Sequence, residues 1–199
     1  ASQLERLRSA NIPLTVCIDK VAASGGYLMA CVANRILAAP FAIVGSIGVL
    51  AQIPNFNRAL KRLDVDYEIM TAGEFKAPVS MFGEITDKGR NKLREELEST
   101  HELFKSFINQ YRPQVAIAEV ATGEVWYGRQ ALDKQLIDSI ATSDDYLLGQ
   151  RQEKNIYEVL YVEKKSFGEK LGLAMQQGVS GMLLRLMNHE QSVISRTMQ

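Results

Sequence analysis

Val21-Ala-Ala-Ser-Gly-Gly-Tyr-Leu-Met-Ala30 follows closely on Pro13-Leu-Thr-Val-Cys-Ile18, and the junction of the two decides the fold. The Pro13–Ile18 run is continuous, apolar and rich in β-branched residues, which fits a short strand buried on both faces in a parallel sheet. Past Gly25 and Gly26 the period changes, and Tyr27, Leu28, Cys31 and Val32 recur at helical spacing. A strand therefore turns tightly into a helix, with Ser24 on the turn. Two readings of that hydroxyl stay open. It can be an ordinary helix N-cap beside flexible glycines. That is the plainer reading of these ten residues; the other is a nucleophile, because Ala22-x-Ser24-x-Gly26 is close to the Gly-x-Ser-x-Gly elbow. In such an elbow small neighbours leave room for a carbonyl, and N–H groups at the helix start can stabilise an oxyanion.

On either side the same alternation continues. Residues 2–8 read as the end of an amphipathic helix, Arg35-Ile-Leu-Ala-Ala39 and Ala42-Ile-Val44 as short strands, and Gly45-Ser-Ile-Gly-Val49 as a turn. A short helix over 55–63 and a strand at Tyr67-Glu-Ile-Met-Thr71 follow. Thr86 is placed to cap a long helix reaching Tyr111 and stopped by Pro113, with Leu93, Leu97, Leu103, Phe104, Phe107 and Ile108 as its apolar stripe. A small helix near 114–121 comes next, then a helix over 128–134 feeding a strand at Leu136-Ile-Asp138. Thr142 or Ser143 caps another helix, Tyr157-Glu-Val-Leu-Tyr-Val162 alternates as a strand, and residues 166–199 have a helical pattern. Strands alternating with helices define an α/β chain.

The composition narrows the function. The 199 residues suit one domain, and 46% hydrophobic with 23% charged residues is ordinary for a globular protein. Lys+Arg and Asp+Glu balance at 23 each, so no net field draws in nucleic acid. Cys17 and Cys31 lack CxxC spacing and read as buried free thiols, though an oxidising compartment leaves a bridge between them open. His101 and His189 are too far apart in sequence to suggest zinc. Residues 36–57 carry no charged side chain, but Pro40, Gly45, Gly48 and Pro54 interrupt them, which favours buried strands and turns over a membrane span. The chain starts without Met, inside what looks like a helix, so it is expected to be a soluble piece of a longer protein.

A serine nucleophile needs a base. His101, in Glu98-Ser-Thr-His-Glu102, reads as solvent-facing, and His189 lies in the charged tail. A lysine serves only if burial or nearby positive charge lowers its pKa. Lys20 follows Asp19, whose charge works the other way. Lys76 lies in Thr71-Ala-Gly-Glu-Phe-Lys-Ala-Pro-Val79, a mostly apolar setting that favours the neutral amine, opposed by Glu74 if the two side chains point together. By itself the stretch reads first as an exposed loop.

At this point the residues carry a resemblance. Asp19-Lys-Val-Ala-Ala-Ser-Gly-Gly-Tyr27, Pro40-Phe-Ala-Ile-Val-Gly-Ser-Ile-Gly-Val49, Pro54-Asn-Phe-Asn-Arg58 and a lysine 52 positions after the serine resemble the SohB-type branch of the signal peptide peptidase A family of serine proteases. Val120-Ala-Thr-Gly-Glu124 and Trp126-Tyr-Gly128 extend the match, which runs from about residue 2 to residue 145. The resemblance implies an α/β, ClpP/crotonase-like fold, here without its N-terminal βα units. It also implies a Ser/Lys dyad of Ser24 as nucleophile and Lys76 as general base, with Ser46 orienting the lysine and the Gly25 N–H in an oxyanion hole. The second oxyanion donor of the family comes from an upstream turn that these residues do not include. The implied protein is a bacterial inner-membrane endopeptidase, its catalytic domain periplasmic, anchored by N-terminal segments and assembled as a homo-oligomer. Its substrates would be peptides, and no metal or organic cofactor is required. Residues 1–165 would form the partial catalytic domain and 166–199 a helical extension. A crotonase-like acyl-CoA enzyme and a non-catalytic oligomerisation module are the alternatives.

Overall fold

The structure, a computed structural model, describes residues 1–162. The chain divides into two compact units, Ala1–Asn155 and Ile156–Gln199. The helix expected over 166–199, and with it His189, lies outside the described residues.

The first unit alternates strands and helices, as the sequence predicts. Helix α1 (Ser2–Ser9) leads to β1 (Thr15–Ile18) and β2 (Val21–Ala23), and α2 (Gly25–Ala30) follows directly. Strands β3 (Arg35–Ala38) and β4 (Ile43–Gly45) come next, then α3 (Asn57–Arg62) and the long α4 (Asp87–Tyr111). The unit closes with α5 (Ile117–Val120), β5 (Val125–Tyr127), α6 (Gly128–Asp133), β6 (Ser139–Ile140) and α7 (Ser143–Gln150).

These strands form two three-stranded sheets, in the orders β1-β3-β6 and β2-β4-β5. The first is all parallel. In the second, β2 and β4 are parallel and β5 runs antiparallel to β4. Central β3 matches its sequence, since Ile36, Leu37 and Ala38 are all buried. Strand β1 does not: it stands at the edge of its sheet, and only Ile18 is buried while Thr15, Val16 and Cys17 are half-buried. An apolar run of strand length does not by itself say whether a neighbour covers each side.

Caps fall where the sequence puts them. Thr86 Oγ1 accepts from Gly89 N–H at 3.1 Å at the start of α4, and Thr142 Oγ1 accepts from Asp145 N–H at 3.1 Å at the start of α7. At the far end of α4, Arg112 is 3% exposed and pairs with Asp138 at 2.8 Å. The Asp138 carboxylate also accepts from the Ile36 N–H at 2.6 Å, so one side chain joins the helix end to the central strand. Tyr27 is fully buried, and its hydroxyl donates to the Leu136 carbonyl at 2.8 Å.

Four expectations change. Tyr67–Thr71 has no strand structure; its residues are exposed, and the Tyr67 ring packs on Phe82 at 5.4 Å instead of on a sheet. Tyr157–Val162 is likewise exposed and irregular, and a strand without a ladder partner is not a stable element. The strand expected at Leu136-Ile-Asp138 is displaced to Ser139–Ile140, and the Asp138 N–H leads into it by donating to the Ile36 carbonyl at 2.8 Å. On α4, Leu103 is 70% exposed, and the buried side follows Phe104 and Ile108. The uncharged stretch 36–57 resolves into β3, β4 and turns, and no helix among the described residues is long and apolar enough to cross a membrane. Both cysteines are free, Cys31 buried and Cys17 half-buried. Burial pushes the Cys31 thiol up to about 11, which leaves it protonated and unreactive at neutral pH.

Candidate active site

Parallel strands β2 and β4 end together, with Ala23 opposite Gly45. The next residue on each is a serine, so Ser24 and Ser46 leave the sheet side by side at its C-terminal edge, where α/β proteins gather their sites. The Ser24 N–H donates to the Gly45 carbonyl at 2.8 Å. Gly45 itself has φ +111°, and a Cβ there would lie 2.8 Å from the Trp126 ring, so only glycine lets β4 turn this close to β5.

Ser24 has φ 51° and ψ −121°, the angles of the first central residue of a type II′ turn. Glycine normally takes that position, and a side chain there costs ~1–3 kcal/mol. Ser24 is also the N-cap residue of α2, yet its side chain makes no capping hydrogen bond. The ordinary N-cap reading is thereby set aside. The hydroxyl is exposed on a strained strand-to-helix turn and bonded to neither its helix nor its sheet. Ser46 is held in the same left-handed half of backbone space, at φ 52°. Its N–H donates to the Glu124 carbonyl at 2.6 Å, and its own carbonyl accepts from Gly48 N–H at 3.0 Å.

Ser24, Gly25 and Ser46 line one cavity of about 750 Å³. Thr122 and Gly123 close one side, and Leu28, Val49, Leu50 and Phe104 make the rest of the wall largely apolar. The Gly25 N–H belongs to the first turn of α2, where backbone donors have no partner within the helix. A second cavity, about 480 Å³, lies between α5 and α6 around Trp126 and Lys134 and takes in none of these residues.

His101 also lines the Ser24 cavity. The sequence reading made it solvent-facing; it is half-buried, and its Nε2 lies 3.2 Å from the Ile47 carbonyl. The signal was present in the period. Leu93, Leu97, His101, Phe104 and Ile108 are spaced four, four, three and four apart, one stripe of α4 with the histidine on it. Charged neighbours at 98 and 102 lie on other faces and hid this.

Lys76 stands apart from that group. It is exposed, on a loop over residues 71–80, and it does not line the cavity among the described residues. Its loop is nonetheless seated on α4. Glu74 pairs with Lys88 of that helix. The ammonium groups of Lys88 and Lys92 sit 5.5 and 5.6 Å from the centre of the Phe75 ring. Gly89 admits the loop backbone, since a Cβ there would lie 1.9 Å from the Pro78 carbonyl oxygen.

The α/β chain thus places an uncapped serine on a strained strand-to-helix turn, facing a mixed polar and apolar cavity. Comparison with known proteins gives the family. Residues 6–157 match the model of Peptidase family S49, and the chain belongs to that family. It is 54% identical over 185 residues to the probable protease SohB of Haemophilus influenzae, covering 93% of this chain and 52% of that one. The chain spans about half the length of the curated relatives it matches. Among solved structures it resembles a membrane-bound stomatin-specific protease, a mutant in complex with a substrate peptide, with a TM-score of 0.41 and 15% identity over 87% of this chain and 74% of that one. It also resembles an enoyl-CoA hydratase/carnithine racemase of Magnetospirillum magneticum, with a TM-score of 0.40 and 15% identity over 74% of this chain and 40% of that one.

Proposed function

We propose that this chain is the catalytic portion of a serine endopeptidase in which Ser24 is the nucleophile and Lys76 the general base. One observation carries the reading: Ser24 occupies a glycine-type backbone conformation at a helix start and leaves its hydroxyl out of the cap. Selection for stability alone favours glycine there, or a serine that caps. Lys76 in its neutral form takes the Ser24 proton while Oγ attacks the peptide carbonyl, and the Gly25 N–H stabilises the tetrahedral oxyanion. The protonated lysine gives its proton to the leaving amine, and the acyl-enzyme forms. Water then gives up a proton to Lys76 and attacks the ester, which releases the carboxylate product and returns the proton to Ser24. Ser46, beside Ser24 at the sheet edge, orients the lysine.

A lysine acts as base near neutral pH when burial or nearby positive charge lowers its pKa, and the exposed loop supplies no burial. The reading therefore requires the loop over 71–80 to fold over the cavity in the active state, carrying Lys76 out of water. The apolar wall formed by Leu28, Val49, Leu50 and Phe104 fits small or apolar substrate side chains, of the kind found in membrane-associated or signal-peptide-like segments. Such substrates fit an inner-membrane protease with a periplasmic catalytic domain. The same reading has the protein assemble as a homo-oligomer.

The test uses the natural full-length protein and a hydrophobic peptide. Ser24→Ala and Lys76→Ala should each lower turnover by at least about 1,000-fold while the circular dichroism spectrum is kept. Normal turnover by Lys76→Ala would remove the dyad from the account.

A further inference from the structure

We propose that His101 is a positioning residue for the Ser24 cavity, whose Nε2–H holds the Ile47 carbonyl and with it the turn that carries Ser46. A backbone carbonyl only accepts hydrogen bonds, so the ring nitrogen 3.2 Å from Ile47 O carries the proton. That nitrogen is a donor and is therefore not free to act as a base toward Ser24.

The same carbonyl oxygen also accepts from the Gly123 N–H at 3.2 Å. One atom thus joins three of the elements that line the cavity: the 45–49 turn, the Thr122–Gly123 loop and α4. The turn needs such a restraint. Ser46 sits at φ 52°, and a non-glycine residue stays in that region only where its surroundings over-determine it. Next to it, Gly48 packs against Gly123, with room for a Cβ only at 3.0 Å from the Gly123 Cα. The anchor comes from a helix of 25 residues whose stripe places His101 between Leu97 and Phe104, so the imidazole is fixed by a rigid element. Residues on rigid elements hold catalytic groups to the tolerance that reaction geometry demands.

This inference rests on the proposed role of Ser24 for its kinetic arm only. In the natural full-length protein, His101→Ala and His101→Gln are compared by hydrogen exchange at the Ser46, Gly48 and Gly123 amides and by peptide hydrolysis. Loss of the bond in His101→Ala should speed exchange at these amides about fivefold, the size one neutral hydrogen bond supplies. It should also lower kcat about tenfold, since the displaced turn carries Ser46. A Gln amide also donates to a carbonyl, so His101→Gln should recover both values to within about threefold. Unchanged exchange in His101→Ala overturns the proposal, as does His101→Gln behaving like the alanine variant. A fall in kcat without an exchange change overturns it too, because His101 would then act on substrate directly. If the wild-type protein neither cleaves peptide nor reacts at Ser24, the protease reading falls, and the exchange comparison still decides whether His101 holds the turn.

Discussion

The backbone of Ser24 carries a cost that its side chain does not recover. With φ 51° and ψ −121° and no capping bond, the residue stores strain in the folded state. Ser24→Gly should relieve it and raise stability by ~1 kcal/mol in urea unfolding, while abolishing peptidase activity. A destabilisation by Ser24→Gly would mean that the turn accommodates a side chain without strain, which would weaken the nucleophile reading. At the same scale the sequence was legible for Ser24, Gly25 and Ser46, because small residues and glycines punctuate the strand ends that bring them together. It was misleading for His101, whose immediate neighbours are polar but whose helical neighbours Leu97 and Phe104 are not. For Lys76 the plain reading of an exposed loop holds, and the apolar flanking residues do not bury it. Instead Phe75 is taken up by Lys88 and Lys92, which leaves the next side chain in solvent.

Among the elements, α4 does the most positioning. Its N-terminal turns seat the loop of Lys76, its middle supplies His101 and Phe104 to the cavity, and its end holds Arg112. Gly89 makes the seat possible, and two effects of Gly89→Ala oppose each other. Alanine is favoured over glycine in a helix by ~1 kcal/mol, yet its Cβ would collide with the Pro78 carbonyl oxygen. The clash is with backbone, so the loop must move. Gly89→Ala should therefore leave α4 helical while making residues 71–80 more susceptible to limited proteolysis. Unchanged proteolysis would show that the loop is not held by this approach. Thr86→Ala, which only removes the cap of the same helix, should cost ~1 kcal/mol without that selective exposure. The limits of α4 could be read from Thr86 and Pro113, since caps and breakers are local chemistry. The irregular paths of 67–71 and 157–162 could not be, because strand formation depends on a partner that local sequence does not name.

For the whole molecule, the Arg112–Asp138 pair links the end of α4 to β3 and the chain before β6. Burial alone would raise the Asp138 carboxyl, but the Arg112 hydrogen bond, the Ile36 N–H and the Arg112 charge together bring it below the ordinary value of 3.8. A depressed folded-state pKa contributes stability above the unfolded value and loses it as pH falls through the folded one. Stability should thus be insensitive to this group between pH 5 and 7 and fall below about pH 4. In urea titrations Asp138→Ala should cost ~3 kcal/mol at neutral pH, since it leaves the buried Arg112 charge unpaired, and should flatten the acid limb. A wild-type acid limb retained in the variant would assign that limb to other carboxylates. The α/β alternation of the molecule was readable from residue pattern alone. Its separation into two three-stranded sheets was not, because pairing across long separations, such as Leu37 with Ser139, leaves no local mark. The central claim is that Ser24 is a nucleophile activated by Lys76, and fluorophosphonate labelling of the natural full-length protein, with the modified residue mapped by mass spectrometry, tests it most directly. The account predicts a single label on Ser24, absent in Ser24→Ala and strongly slowed in Lys76→Ala; peptide hydrolysis with the label on another residue, or with Ser24 unmodified, would contradict it.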